Sequence, residues 1–456
     1  MLDNLKFAQY VNEERKKLIK STRERGVYVA DNAQLSEVVA RNSEIQPYEA
    51  TSTDKISVTF LDADGTLLKR QYLDIGGTAT APSNPTLDSD YLTFSGWSDT
   101  ELTNITESKT IYATYTTKDN ATYIFIHIPT ANKAITLSFG GTITSVDWGD
   151  GTTNTTLSHT YSAIGDYVIK VIGGTYISKY ILGSSDNNKY VLKCYLSITI
   201  TSFSSYVFSS CKSLTTVVLH SGITNLGTSA FAACSSLTNI TLPNSITYIG
   251  GSTFNDCSSL TSITLPSGVT GIDINAFSNC YLLTNINLPS SIKKIGDSAF
   301  QNCRSLTTVV LPSGITGIGN YAFSGCNRFN DISIPSSVAK IGQSAFSYCS
   351  SLTNITLPSN ITSLIASVFS YCNSLSSISI PSSITSLGSG AFSNCYNLQQ
   401  VVINADIVIT IQSDSFSTDA YNTKFYVPDN LVEDYKVATN WVKFADRIYP
   451  LSSLGV

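Results

Sequence analysis

Between Phe208 and Asn404 the apolar and polar positions of the chain recur every 23 residues. Cysteines stand at Cys211, Cys234, Cys257, Cys280, Cys303, Cys326, Cys349, Cys372 and Cys395, and a phenylalanine precedes each by three, from Phe208 to Phe392. The unit reads A-F-x-x-C-x-S-L-T-x-I-x-L-P-x-x-I-T-x-I-G, and a fixed period of this length predicts a solenoid. One coil buries too few apolar side chains to offset the entropy of ordering its backbone. Stacking solves this by turning each apolar position into a continuous ladder. Within a coil, T-x-I-x-L alternates with period two and predicts a strand with Ile and Leu inward. The prolines from Pro243 to Pro381 end that strand. The I-T-x-I-G segment returns across the stack, and A-F-x-x-C predicts a short turn or helical piece.

The flanking sequence predicts smaller, mostly β units and one helical one. Residues 3–24 carry Leu5, Ala8, Val11, Leu18 and Ile19 on one side and charge on the other, the pattern of an amphipathic helix. Asp31 with Gln34 predicts the start of a second short helix. Two such helices bury too little to stand alone, so 1–48 is expected to dock or oligomerise. Residues 55–116 read as strands around an Asp62-Ala63-Asp64-Gly65 turn, and 121–173 as strands around Trp148-Gly149-Asp150-Gly151. Residues 174–207 echo the repeat imperfectly and predict an N-terminal cap, since end coils must cover the apolar cross-section. The register also breaks after Phe392, which predicts a repeat region of 208–411 and a C-terminal cap of 412–456 with Tyr435, Trp441 and Ile448 in its core.

Several of these stretches resemble known families. The A-F-x-x-C unit, in nine copies, closely resembles the BspA-like leucine-rich repeats of bacterial and phage surface proteins, which implies a binding scaffold rather than a catalyst. The order V-x-F-x-D-x-D-G, A-x-x-P, F-x-G-W and I-x-A-x-Y over 55–116 resembles the Listeria–Bacteroides repeat (the B repeat of internalins), implying a β-grasp-like spacer. W-G-D-G with His159-Thr160-Tyr161 resembles the PKD-type immunoglobulin-like sandwich over 121–173. Residues 1–48 resemble the N-termini of phage tail and fibre proteins, implying a helical anchor. The string Y-V-P-x-x-L-V-x-x-Y-K-x-A-x-x-W resembles the closing cap of BspA-like proteins. The expected fold is therefore a mainly β multidomain chain built around the solenoid.

Charge and chemistry narrow the function. The formal net charge of -5 leaves no general nucleic-acid footprint. Residues 208–403 hold six Lys/Arg and four Asp/Glu, against eight and seven in 1–48, so the solenoid surface is Ser, Thr and Asn. That suits a neutral, hydrogen-bonding partner such as glycan. Equivalent cysteines of stacked coils have parallel side-chain vectors, poor geometry for disulfides, so buried free thiols are expected, fitting a reducing compartment. A Ser in place of Cys303 is expected to leave an unpaired buried hydroxyl. His127, His159 and His220 stand in unrelated contexts, and no metal-ligand spacing or phosphate-binding glycine loop occurs. No enzyme activity, metal or cofactor is expected. No stretch reads as a secretory signal or a membrane span.

The candidate binding face is the row of side chains flanking the inward residue of each strand. Asn239, Asn285, Thr308, Asp331, Asn354 and Ser377 precede that residue, and Thr241, Asn287, Ser333 and Thr356 follow it. At ~4.8 Å per coil they would form a polar ribbon about 40 Å long. The leading expectation is a phage virion protein, a tail or head fibre or surface appendage. Residues 1–48 would then join it to other virion proteins as a homo-oligomer, and the solenoid would hold host-surface protein or glycan. The alternatives are a bacterial cell-surface adhesin and a cytoplasmic interaction scaffold.

Overall fold

A computed structural model describes residues 55–416 and 422–454. The expected helical anchor at 1–48 lies outside the described residues. The chain divides into two compact units at Thr116/Thr117.

The first unit is a mixed four-stranded sheet. Strands β1 (Lys55–Leu61), β2 (Leu67–Asp74), β3 (Leu92–Trp97) and β4 (Lys109–Thr117) lie in the order β2-β1-β4-β3. β1 is antiparallel to β2 and parallel to β4, so Phe60 sits between Lys69 and Ile111. Val58, Phe60, Ala79, Ile105 and Ile111 form the core, with Trp97 edge-on to Phe60 at 5.3 Å. No helix crosses this sheet among the described residues. The Asp62–Gly65 turn is closed by Gly65 N–H donating to Asp62 O at 2.9 Å. The Asp62 carboxylate accepts from the Tyr115 hydroxyl at 2.7 Å and the Ala63 N–H at 2.7 Å. Burial pushes both Asp62 and Tyr115 up. The carboxylate thus closes a structural turn.

The second unit has one continuous core from Ile124 to Ile448. Strands β5 (Ala121–Ile128), β8 (Ile143–Asp147), β9 (Thr153–Asn154) and β11 (Gly165–Gly173) share a six-stranded sheet with β13 (Val191–Tyr195) and β15 (Thr216–Val218), in the order β15-β13-β5-β11-β8-β9. Beside it, β6 (Lys133–Thr136) pairs with β10 (Ser158–Tyr161), while β7 (Phe139–Gly140), β12 (Tyr176–Ile177) and β14 (Ser202–Phe203) form a smaller sheet. The stretches 121–173 and 174–207, read from sequence as separate units, therefore share one sheet that runs into the first coil. Cys194 pairs with Ile124 on one side and Val217 on the other. The cause is the same apolar cross-section that demands a cap, because a sheet edge laid beside the first coil covers it and satisfies its backbone.

Trp148 explains the W-G-D-G turn. It is fully buried, and the Tyr161 hydroxyl donates to its carbonyl at 2.9 Å. Gly149 adopts φ +80°, and a Cβ there would lie 2.7 Å from Val168 O, so only glycine fits.

The coils pair through two parallel ladders in 23-residue register, the first of them interrupted at the coil of Thr308. T-x-I-x-L strands pair as Ser262↔Asn285 and Asp331↔Asn354, and the I-T-x-I-G segments as Ile272↔Ile295↔Ile318↔Ile341. A-F-x-x-C is a turn because left-handed residues flank the phenylalanine, such as Ser298 (φ 53°) and Asn302 (φ 59°) around Phe300. A helix cannot pass through two such residues. The phenylalanine rings stack from Phe208 to Phe416 with centroids 5.1–5.7 Å apart. Phe416 keeps the stack despite its 24-residue spacing, at 5.4 Å from Phe392. Edge-on rings close both ends, Phe203 at Phe208 and Phe425 at Phe416.

All ten cysteines are free and buried. Their thiols are more than filler. Cys303 Sγ–H donates to Phe277 O of the preceding coil at 3.2 Å, and the same bond recurs from Cys234 to Cys395 at 3.0–3.2 Å. Phe277 O also accepts the Cys280 N–H. A serine hydroxyl at 303 would face that same acceptor, so the expected unpaired hydroxyl does not arise, and the cost of Cys303→Ser is lost volume. Burial pushes the thiols of Cys194 and of Cys234 to Cys395 up, Cys349 and Cys395 to about 12. Native protein is therefore expected to resist thiol-specific labelling at neutral pH and to expose all ten thiols on unfolding. Labelling before unfolding would contradict the buried ladder.

The C-terminal cap extends the first ladder before closing it, while the second ends at Thr410–Ile411. Strands Gln400–Ile403, Lys424–Val427 and Ile448–Pro450 continue the first. The cap's one α-helix among the described residues spans Val432–Val437, flanked by tighter 3-10 turns. Among the described residues no helix is long and apolar enough to cross a membrane.

Candidate functional site

The polar ribbon exists along much of its predicted length. Asn285, Asn287, Thr308, Asp331, Ser333, Asn354, Thr356 and Ser377 are all exposed. Register places them in rows: Asp331 beside Asn354, and Ser333 beside Thr356. The inward neighbours Ile286, Val309, Ile332 and Ile378 are buried and Ile355 is half-buried, so the backbone fixes where the outer side chains point. Asn354 Nδ2 donates to Thr353 Oγ1 at 3.3 Å, a bond within one rung.

The threonine before each outward position has a different task. Thr261, Thr284 and Thr353 Oγ1 donate to the carbonyls of Thr238, Thr261 and Asn330 one coil back, at 3.1–3.2 Å. Part of the Ser/Thr richness therefore holds the stack together, which sequence composition alone does not separate from surface chemistry.

The first rungs depart from the expectation. Thr241 is 9% exposed and buried, so it is removed from the candidate face. Its neighbour one coil back, Val218, is also buried and pairs with the fully buried Tyr195 of β13. Burial from the continuing sheet thus reaches one rung further. Asn239 is half-buried, and its Oδ1 is enclosed without a hydrogen-bond partner. The usable ribbon begins near Asn285.

The histidines serve structure. His159 Nε2 lies 2.7 Å from Asp150 Oδ2, and its ring stacks on Trp148 at 5.0 Å. Burial pushes Asp150 up, but the hydrogen bonds from His159 and Thr152 outweigh it and hold the carboxyl low. His127 Nδ1 pairs with Asp166 at 2.6 Å at the surface. His220 replaces the proline of its coil, and its Nε2 reaches Ile200 O at 2.8 Å while Nδ1 accepts Gly222 N–H at 3.0 Å. Burial lowers its pKa against the opposing pull of bonds to the Ile200 and Ser197 carbonyls. The folded state therefore favours neutral imidazole, and this contribution is present above ~6.5 and lost as pH falls below it. His220→Gln is expected to flatten the fall in melting temperature between about pH 6.5 and 5. An unchanged slope would remove His220 from the acid response.

A second surface feature escaped the sequence reading. On the I-T-x-I-G ladder a concave groove of about 640 Å³ is lined by Tyr248, Asp273, Lys293, Lys294, Asp297 and Lys340, among others. Its signal was the outward x position, which runs Tyr248, Gly271, Lys294, Gly317, Lys340 through successive coils.

These two ladders, the stacked rings and the thiol bonds define the repeat, and its sequence matches the BspA type leucine-rich repeat region over residues 175–307 and 293–423, in six copies. The chain belongs to the BspA-type leucine-rich repeat family. Solved structures similar to this BspA-type chain include a leucine-rich repeat protein from Bacteroides ovatus (28% identity, 40% of this chain, 59% of that one, TM-score 0.32). A T. pallidum leucine-rich repeat protein is 32% identical over 35% of this chain and 78% of its own, with a TM-score of 0.34. A leucine-rich cell surface protein from Faecalibacterium prausnitzii is 25% identical over 66% of this chain and 95% of its own, at a TM-score of 0.37. The BspA-type chain thus spans less than two thirds of the Bacteroides protein. No curated protein matches it in sequence.

Proposed function

We propose that this BspA-type chain is a non-enzymatic, adhesin-like surface protein whose solenoid binds a protein or glycan on a cell surface. The observation that carries this reading is the ribbon from Asn285 to Ser377, a row of exposed polar side chains recurring coil by coil, with Asp331 and Ser333 paired in register to Asn354 and Thr356. Such a surface is pre-organised, so binding costs little ordering entropy. Membership of a repeat family found in surface proteins supports the same reading. The histidines, each bonded into structure, offer no free general base. The first unit, 55–116, would serve as a spacer. A virion appendage would need an anchor in residues 1–48, which lie outside the described residues.

The test is immunogold electron microscopy of producing cells and their lysate, with antibody raised against residues 208–450. Gold on cell envelopes is expected. Gold on phage particles with bare envelopes would overturn the adhesin reading in favour of a virion appendage, and gold confined to the cytoplasm would favour an internal scaffold.

A further inference from the structure

The solenoid has ten charged side chains between 208 and 403, and they are not scattered. Asp273, Lys293, Lys294, Asp297 and Lys340, half of them, line a groove on the I-T-x-I-G ladder. There the ordinary Ser, Thr and Gly of the repeat give way to charge at Asp273, at Lys293, Lys294 and Asp297, and at Lys340, with the coil of Gly317 left neutral.

The two signs are treated differently. Asp297 accepts from Asn320 N–H at 2.8 Å and from Asn320 Nδ2 at 3.0 Å, and Asp273 accepts from the Ile274 N–H at 2.8 Å. Among the described residues, none of the Lys293, Lys294 and Lys340 ammonium groups pairs with a carboxylate. The carboxylates are held by donors, while the cations remain open to a ligand.

Shape completes the site. Lys294 and Lys340 project from alternate coils, separated by roughly 10 Å at two strand spacings. Gly317 lies between them, where an added Cβ would meet nothing nearer than Lys340 O at 3.9 Å. It leaves a slot with a cation on either side. One coil beyond Lys294, the Tyr248 ring packs against Gly271, so closely that a Cβ there would fall 2.9 Å from Cε2. Tyr248 is 49% exposed, so its outer side is free.

We infer that this groove binds an acidic glycan laid along the stack, with carboxylate or sulfate groups at Lys294 and Lys340 and a sugar ring against Tyr248. An extended acidic disaccharide is about as long as two coil spacings, so one charge per disaccharide meets one lysine per two coils. A nucleic acid fits less well, because its duplex carries a phosphate charge every ~1.7 Å and would set many against Asp273 and Asp297. The groove's size lies in the range of ligand sites, roughly 300–1,000 Å³. This inference rests on the reading of the solenoid as a binding scaffold, but it moves the ligand from the polar ribbon to the other ladder.

The experiment titrates the full chain with a uronic-acid octasaccharide, its carboxyl-reduced form and a short DNA duplex, by calorimetry at low and moderate salt. The acidic octasaccharide is expected to bind roughly tenfold or more tightly than the reduced one, and salt is expected to weaken it. Lys294→Glu with Lys340→Glu should abolish this binding, and Gly317→Leu should weaken it by filling the slot while keeping every charge. Lys212→Glu with Arg328→Glu, an equal charge reversal at exposed positions outside the groove, should bind as the parent does. Parent-like binding by the two groove variants, a preference for DNA, or equal binding of acidic and reduced sugar would each overturn the inference. If the parent labels cells yet binds neither octasaccharide, the adhesin reading stands and the groove's assigned ligand falls.

Discussion

Phe300→Ala is expected to destabilise the solenoid by about 3–5 kcal/mol, the usual cost of removing a buried aromatic side chain. Phe300 has no exposed surface and stacks on Phe277 and Phe323 with centroids 5.4 Å away on both sides. The cavity cannot close easily, because the coil spacing is fixed by paired strands above and below. Stability in a repeat stack is a sum of coil and neighbour terms, so a defect in the middle weakens the coupling of the two halves. Equilibrium denaturation should therefore show both a lower midpoint and a broader or biphasic transition. Phe300→Leu keeps most of the buried volume and should cost under about 1.5 kcal/mol. Equal effects of the two variants would show that ring stacking and cavity formation do not set the stability. A loss below about 1 kcal/mol for Phe300→Ala would show that the site can collapse.

The repeat itself was legible because phenylalanine and cysteine recur at one spacing with few interruptions. The strand of T-x-I-x-L followed from alternation, and Ile286 inward with Asn285 and Asn287 outward is what the structure contains. Other features had no pattern to announce them. The thiol bond from Cys303 to Phe277 O joins residues 26 apart, a relation that spacing between like residues does not express. The left-handed pair around each phenylalanine is hidden because Ser, Asp, Asn, Tyr and Ala fill those positions more often than glycine. The sharing of one sheet by β5, β13 and β15 depends on long-range pairing, where Cys194 meets Ile124, 70 residues earlier in the chain. That sheet also explains why Thr241, chosen by its place in the unit, is buried while the equivalent Asn287 is exposed. Equal sequence position gives equal environment only in the middle of a stack. The groove was overlooked for the opposite reason, since averaging the repeat into a consensus erases the coils in which Lys294 and Lys340 replace small residues.

Trp441→Ala should be about as damaging, at ~3–5 kcal/mol, although it lies at the end of the stack. Trp441 is fully buried, and its Nε1–H donates to Ile409 O at 2.8 Å. Around it, Tyr435 hydroxyl donates to Ile407 O at 3.1 Å and accepts the Ile409 N–H at 3.1 Å, while Asn440 Nδ2 donates to Ile411 O at 2.8 Å. These side chains satisfy backbone groups that would otherwise pair with a further coil. They also cover the last ring, because Phe425 and Phe444 stand edge-on to Phe416 at 5.0 and 5.9 Å. Removing the indole leaves a carbonyl without its donor and opens a cavity beside that ring. The exposed end is an apolar surface with free strand edges, which templates association. Trp441→Ala is thus expected to lower the melting temperature and to produce concentration-dependent aggregates, whereas Phe300→Ala should lose stability without end-to-end association. Light scattering during thermal denaturation separates the two. If Trp441→Ala stays monomeric and melts like the parent, the closure of the stack resides in Phe425 and Phe444 alone.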